Sequence, residues 1–300
     1  MQVKHAMIHD FKNNAETSLR TARYAGSWYE SDPKVLEQQL TAFLKKAEPI
    51  IQKSEGCLSV RAIVVPHAGY LFSGEVAAHA YRAAKNKKVK RIFLLGPSHY
   101  VGFHGVALPN VSFFETPLGS LAVDQEVIEA LKKNSLFVEQ SEAHRLEHSL
   151  EMQLPFIKKV FGTVPIVPLV VGTLSGEVEI REVAAWLQRF LQEDDLIVVS
   201  SDFTHYGPQF QYQPFDTCVR ENIRKLNRKA YVHLQQLDLH GFLKFQKETG
   251  DTICGLYPLA LLLAIIPSNT PSSLVAYQTS QDTKYADPKN SVSYLAITFS

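Results

Sequence analysis

The sequence predicts an α/β fold, a single domain in which a mainly parallel central sheet is flanked by helices. Short runs rich in Val, Ile and Leu, closed by Gly or Pro, are typical of buried strands that enter loops. These runs alternate with amphipathic stretches of helical spacing, and such strand–helix–strand units have parallel strands and a right-handed crossover. No linker long or flexible enough to divide the 300 residues is present, so one domain is favoured.

The first half of the chain begins with a helix and one strand–helix–strand unit. Asp32 is a suitable helix cap, and apolar residues recur at helical spacing after Pro33. The unit that follows has a strand at 61–65, an Ala-rich helix at 73–84 and a strand at 91–95. Short strands at 105–122 then lead into two helices, at 125–133 and 147–160.

The second half repeats the pattern and ends in helices and strands. A second strand–helix–strand unit is predicted at 166–171, 177–191 and 196–200. Three helices follow, at 219–226, 239–247 and 256–266. Two strands, at 274–278 and 293–298, close the chain.

Composition restricts the classes of partner and compartment. With 31 basic and 30 acidic side chains there is no overall field that favours nucleic acid or an anionic membrane, so neither partner is expected. The longest apolar run, 258–266, is too short to span a bilayer. Three cysteines without a pairing pattern fit a reducing compartment, and we expect a cytoplasmic protein. Residues 1–22 are expected to form a loosely ordered tail before a domain at 23–300.

Three of the apolar runs end in short polar segments that contain a histidine: His67, His99 and His205. In open α/β sheets, ligands bind beyond the carboxyl ends of the strands. Three histidines delivered there from separate strands suggest a metal site or an acid–base site. For each histidine taken alone, the alternative is a side chain that only bonds its own loop.

Two further residues have a setting suited to chemistry. Asp202 precedes His205 by three positions, and a carboxylate beside an imidazole orients the ring and raises its basicity. Alternatively, Asp202 caps a turn. Cys254 lies just before a predicted helix, where backbone N–H groups favour thiolate and lower the pKa of the thiol. The alternative is a buried cysteine that packs as a hydrophobe.

The start of the 147–160 helix carries Glu147 and His148, followed by Glu151. This spacing matches neither a zinc-binding His-Glu-x-x-His motif nor a defined carboxylate pair. The favoured interpretation is a solvated end of an amphipathic helix, and the alternative is that Glu147 and His148 belong to the candidate site. Phosphate-binding glycine loops, dinucleotide fingerprints and the Gly-x-Ser-x-Gly elbow are all missing from the sequence.

Six motifs occur in this order: YAGSWY at 24–29, PHAGY at 66–70, GPSH at 96–99, EHSLEM at 147–152, SSDF at 200–203 and TICG at 252–255. Together they resemble the Memo family, named after the mediator of cell motility, whose prokaryotic members are called AmmeMemoRadiSam system protein B. The resemblance extends from about residue 23 to the end of the chain.

The resemblance implies a single α/β domain similar to class III extradiol dioxygenases, which hold non-haem iron between two histidines and a carboxylate. By the family pattern His67, His99 and Cys254 would be the metal ligands, with His205 and Asp202 lining the same cavity. A thiolate in place of the carboxylate suits copper as well as iron. The family also implies phosphotyrosine-peptide recognition in animals, and radical-SAM and AMMECR-type protein partners for prokaryotic members. Animal members often have a second histidine where this chain has Tyr100.

Three functions are compatible with these residues. The first is an iron- or copper-dependent oxidoreductase for a small unknown substrate, in which His205 shuttles a proton and Trp28 and Tyr70 form an aromatic wall. The second is a binding module without turnover, in which the histidines, Trp28 and Arg23 hold a phosphorylated or carboxylated peptide. The third is a zinc-dependent hydrolase, because two histidines, one cysteine and a water complete a catalytic zinc site.

Overall fold

The computed structural model describes residues 18–47 and 60–300 of the chain. Its strands are β1 Leu19–Arg20, β2 Ala62–Val65, β3 Arg91–Pro97, β4 Val106–Leu108, β5 Phe113–Phe114, β6 Leu121–Ala122, β7 Phe137–Glu139, β8 Ile166–Val171, β9 Asp195–Ser200, β10 His205–Tyr206, β11 Ser272–Thr279 and β12 Ser291–Phe299. Its α-helices are α1 Pro33–Lys46, α2 Tyr70–Ala84, α3 Gln125–Leu131, α4 Ser141–Leu146, α5 His148–Glu151, α6 Leu154–Phe161, α7 Glu177–Gln188, α8 Val219–Gln235, α9 Leu239–Thr249 and α10 Leu256–Ile265.

The centre of the molecule is a nine-stranded mixed sheet in the order β10-β12-β2-β9-β3-β8-β4-β7, with β11 also paired to β12. Its four middle strands, β2, β9, β3 and β8, are mutually parallel, and almost all of their residues are buried. Strands buried on both faces read as continuous apolar runs, which is why the sequence reveals them. The predicted α/β fold is therefore confirmed, with antiparallel strands toward the edges of the sheet.

Helices cover this sheet. α2 packs on β2 and β12, while α10 packs on β3 and β9 and against α7. α10 has an almost wholly apolar sequence and is buried around its circumference, as expected of a helix in the core of a large domain. Among the residues that the structure describes, no helix is long and apolar enough to cross a membrane.

The predicted helix at 147–160 is divided into α5 and α6. Pro155 lies in the first turn of α6, a position where the missing N–H of proline removes no helical hydrogen bond. α5 is a single turn that packs against β3. The break gives α5 an axis of its own and allows its side chains to face the sheet.

The amino-terminal boundary lies before the expected residue 23. β1 pairs in parallel with β5 in a small sheet of three strands, β1-β5-β6, and Arg20 is buried. Residues 18–22 are thus part of the folded domain. The rest of the expected tail, residues 1–17, and Cys57 lie outside the described residues.

Candidate metal centre

The carboxyl ends of adjacent parallel strands bring two of the predicted histidines together. β9 lies between β2 and β3, so the segments that leave these strands meet at one edge of the sheet. His67 follows β2 by two residues, and His99 follows β3 by two residues. Their ring centroids are 5.1 Å apart.

Cys254 completes this group from the loop before α10. Its Sγ lies 3.1 Å from Nε2 of His67. His67, His99 and Cys254 each offer one potential ligand atom. These three atoms lie within 4.8 Å of one another. The three residues that the family pattern gives as ligands are therefore adjacent in space.

The tautomer of His67 is set by a buried hydrogen-bond chain. The hydroxyl of Ser200 donates to the carbonyl of Ser149 at 2.7 Å, and Nε2 of Gln153 donates to the same hydroxyl oxygen at 2.9 Å. Because its proton is already used, Ser200 Oγ accepts from Nδ1–H of His67, 2.9 Å away. The lone pair of His67 is therefore on Nε2, facing the thiol.

Glu147 fixes His99 in the same way. Its Oε1 lies 2.7 Å from Nδ1 of His99, and its Oε2 accepts the backbone N–H of His99 at 2.7 Å. Desolvation by burial raises the pKa of Glu147, but the hydrogen bond and charge of His99 outweigh it and hold the pKa at about 2. An ionised Glu147 accepts the Nδ1 proton, so the lone pair of His99 is on Nε2. The expectation of a solvated helix end is wrong, because Glu147 is 1% exposed.

The pKa of the Cys254 thiol is raised in the fold, whereas the sequence predicts that it is lowered. Desolvation by burial and the charge of Asp202 raise the pKa of Cys254 well above its ordinary value. The thiol lies two residues before α10, outside the first helical turn, so the helix does not offset this burial. The Asp202 N–H donates to Sγ at 3.2 Å, a contact that a thiolate would strengthen.

His148 is a further side chain at this edge of the sheet, and it is buried. Its ring stacks on His99 at 4.4 Å between centroids, and Trp28 packs on it at 4.4 Å. Tyr100 places its hydroxyl 3.1 Å from Nδ1 of His148. Desolvation and the nearby His99 lower the pKa of His148 to about 3, so the ring is neutral. His99, Glu147 and His148 also form a second group of potential ligand atoms.

The predicted aromatic wall is present only in part. Trp28 is half-buried and contacts His148 as described. Tyr70, by contrast, lies in the core, because it is 3% exposed, donates to the carbonyl of Met152 at 2.8 Å and packs on Phe156. Its place in the first turn of α2 directs it away from solvent and into the packing between helices.

Asp202 and His205 do not form the expected pair. Oδ1 of Asp202 instead accepts the backbone N–H of His67 at 2.8 Å, and desolvation raises the pKa of this carboxyl to about 7. Nδ1 of His205 lies 3.0 Å from the carbonyl of Thr252, which accepts its proton. Thr252, which is two residues before Cys254 in the chain, therefore orients His205 and leaves the Nε2 of His205 free.

These motifs belong to one family over almost the whole chain. A family model described as Memo-like protein matches residues 20–298. The chain belongs to the Memo family. Protein MEMO1 of Homo sapiens is 36% identical over 293 residues, which cover 92% of this chain and 96% of the human protein. The memo-1 homolog of Caenorhabditis elegans is 37% identical over 251 residues, 81% of this chain and 70% of the nematode protein.

A solved structure shares the fold of this Memo-family chain. The crystal structure of an uncharacterized protein, JW3007, from Escherichia coli K12 matches with a TM-score of 0.55 at 12% sequence identity. The match covers 80% of this chain and 100% of the bacterial chain. At this identity the similarity concerns the fold alone.

Sequence reasoning missed one part of the Memo site, a buried ion pair between Arg20 and Glu151. The guanidinium donates to Glu151 at 2.7 Å and to the backbone carbonyls of His144 and Glu147 at 2.6 and 2.7 Å. Glu151 also accepts the hydroxyl proton of Tyr29 at 2.9 Å. Arg20 thus ties β1 to both ends of the turn that carries Glu147. Nothing in the local sequence around Arg20 signals this contact.

The donor set of the Memo site fits a transition-metal ion. Two imidazoles offer Nε2 lone pairs while their Nδ1 protons are held by Ser200 and Glu147, the arrangement typical of metal-ligating histidines. Cys254 adds a soft sulfur donor, and a bound cation would reverse the effect of burial on its pKa by favouring the thiolate. Two nitrogens and one sulfur suit iron, copper or zinc.

Proposed function

We propose that this Memo-family chain holds one iron or copper ion on His67, His99 and Cys254 and acts as an oxidoreductase on a small substrate. The observation that carries the proposal is the convergence of three unprotonated or deprotonatable donors within 4.8 Å. Ser200 and Glu147 fix the tautomers of the two imidazole donors. When bound, such an ion supplies Lewis acidity and a redox couple.

The remaining side chains give the proposed reaction its surroundings. Trp28, packed against His148, forms one apolar side of the cleft beside the proposed ligands. Nε2 of His205 is available to take up or release a proton, because Nδ1 is committed to Thr252. Asp202 supports the site by holding the backbone of His67. Oxidoreductase chemistry is thus proposed for the metal-bearing edge of the sheet, with His205 as the proton carrier.

The test is the metal content of protein purified without oxygen. We expect about one iron or copper ion per chain, and less than about a tenth of that in His67→Ala and Cys254→Ser. The matched control is His104→Ala, which removes an exposed histidine paired with Glu179. Circular dichroism shows whether each variant remains folded. Unchanged metal content in folded His67→Ala would refute the ligand assignment.

A zinc-dependent hydrolase is the second candidate, because the same donors match a three-ligand catalytic zinc site. The two candidates differ in the identity of the ion and in its spectrum. Iron or copper gives an electron paramagnetic resonance signal in the appropriate oxidation state, whereas zinc is silent. Stoichiometric zinc in the same elemental measurement would favour the hydrolase. Metal-independent, saturable binding of a phosphorylated peptide without turnover would instead favour a binding module.

A further inference from the structure

A second surface, which none of the proposed ligands lines, has features of a docking site. A groove of about 660 Å³ runs between α8 and the loop at 212–215. Its apolar lining consists of Tyr212, Pro214, Phe215, Leu226 and Val232. Its basic rim consists of Lys225, Arg228 and Lys229. We call this surface the α8 groove.

The amphipathic pattern of α8 explains why the groove is open. One face of the helix buries Ile223, Ala230 and Leu234 against the body of the protein. Leu226 lies next to that face and Val232 lies on the opposite side of the helix, and both are half-buried. Apolar side chains on an otherwise polar helix face mark interaction surfaces when they line a concave patch.

The opposite wall of the groove is held in place before any ligand arrives. The hydroxyl of Tyr212 donates to the carbonyl of Thr249 at 3.0 Å, which links the loop to the end of α9. Phe215 stacks on Tyr206 at 5.2 Å between ring centroids. Because this wall is preorganised, binding in the groove requires little ordering of the protein.

Two of the three cations on the rim have no acidic partner among the described residues. Arg228 and Lys229 are exposed, and neither has an acidic partner among the residues that the structure describes. Lys225 does have one, Glu221, at 2.7 Å. The chain as a whole has a net charge of +1, so this concentration of cations on α8 is a local property.

We propose that the α8 groove docks an acidic segment of a partner protein that places a large apolar side chain between α8 and the 212–215 loop. The unpaired cations complement acidic residues, and the apolar lining provides a pocket for one aromatic or aliphatic side chain. Glu248, at the end of α9, also lines the groove, so the acidic residues of the segment lie along α8, beside Arg228 and Lys229. A flat membrane surface does not fill a concave pocket.

The test uses fluorescence anisotropy with a labelled synthetic peptide of Glu and Asp that carries Phe and Leu four residues apart. We expect saturable binding to the full chain with a Kd on the order of 10 μM. The double variant Arg228→Glu/Lys229→Glu should weaken it by at least about tenfold, as should replacing Phe and Leu of the peptide by Ser. Leu226→Ser should weaken binding as well, without altering the charge of the rim.

The matched control is Lys34→Glu, which reverses an exposed lysine of α1 that has no acidic partner within 18–47 and 60–300, and it should leave peptide affinity unchanged. Absence of saturation up to about 1 mM peptide would overturn the proposal. Equal affinity for the charge-reversed double variant would do so too. Tighter binding of a single-stranded RNA 20-mer, or of phosphatidylserine vesicles, would assign the surface to a different class of partner.

Discussion

Both carboxylate oxygens of Glu147 are bound by one residue, His99: Oε1 faces its Nδ1 at 2.7 Å and Oε2 accepts its backbone N–H at 2.7 Å. The side chain and the main chain of His99 are therefore fixed to the same buried group. Since an imidazole presents only one lone pair to a metal, the carboxylate determines which nitrogen that is. This relationship makes Glu147 as informative about the site as the ligands themselves.

Replacing Glu147 by Gln should weaken metal binding without removing a ligand. The amide keeps the shape of the side chain but no longer enforces the Nδ1–H tautomer of His99. We expect affinity for the metal to fall by about 10- to 100-fold in a chelator competition titration. The matched control is Glu142→Gln, an exposed residue paired with Arg145, which should bind as the wild type does. Equal affinities for both variants would contradict the assigned role.

Arg20→Met should destabilise the fold strongly. Glu151 is fully buried, and removal of Arg20 leaves its charge without a cation and two backbone carbonyls without a donor. We expect the free energy of unfolding in urea to fall by about 3–5 kcal/mol. Arg20→Lys should lose less, because it retains the charge but not the planar set of donors. Arg145→Met, which breaks an exposed pair, serves as the control and should leave the unfolding midpoint unchanged.

Stability should depend on the protonation of His144. Desolvation by burial lowers the pKa of this ring to about 4, while its Nε2 pairs with the carbonyl of Ala107. Between pH values of about 6.5 and 4, the unfolded chain binds the proton and the folded chain does not. The free energy of unfolding therefore falls as pH is lowered through this interval, by up to about 3 kcal/mol from His144.

Urea denaturation at several pH values measures this contribution. His144→Gln retains a donor for the Ala107 carbonyl but does not titrate, so its stability should vary less with pH between 4 and 6.5 than that of the wild type. His240→Gln, at a histidine whose side chain is 80% exposed, should leave the pH dependence as it is. Identical pH dependence in His144→Gln and the wild type would show that the ring is not kept neutral by the fold.

Gly255→Ala should disturb the thiol ligand through its neighbour. A methyl group on Gly255 would lie 2.3 Å from Oγ of Ser201, too close for any real contact. Ser201 must then move, and the loop with Cys254 moves with it. We expect a loss of about 1–3 kcal/mol in unfolding free energy and lower metal occupancy. Gly102→Ala is the matched control, because nothing lies within 4 Å of its added methyl group.

The parts of the site that follow buried strands are predictable from sequence. An apolar run closed by Gly or Pro defines a strand end locally, and the position of such ends on one edge of a parallel sheet follows from the topology. The sequence therefore predicts that His67 and His99 lie near one another. The predicted strand at 166–171 coincides with β8, for the same local reason.

The partners that tune the site are not predictable in this way. The sequence places Glu147 at a solvated helix end because it begins an amphipathic stretch. In the fold, however, α5 packs against β3. Gly96 permits this close approach, since a methyl group there would lie 2.5 Å from Oγ of Ser149. Arg20 and Glu151 are 131 positions apart, and no local pattern encodes a contact over that distance. Family motifs point to the proposed ligands, whereas the hydrogen bonds that orient them are visible only in the fold.

Thr252 binds His205 in three ways: its hydroxyl accepts the backbone N–H at 2.8 Å and donates to the backbone carbonyl at 2.8 Å, and its own carbonyl faces Nδ1 at 3.0 Å. The sulfur of Cys254 follows two residues later on the same segment. The thiol and the carbonyl that orients the imidazole therefore lie on one segment, 252–254. The positions of the thiol and of the imidazole are thus coupled through this segment.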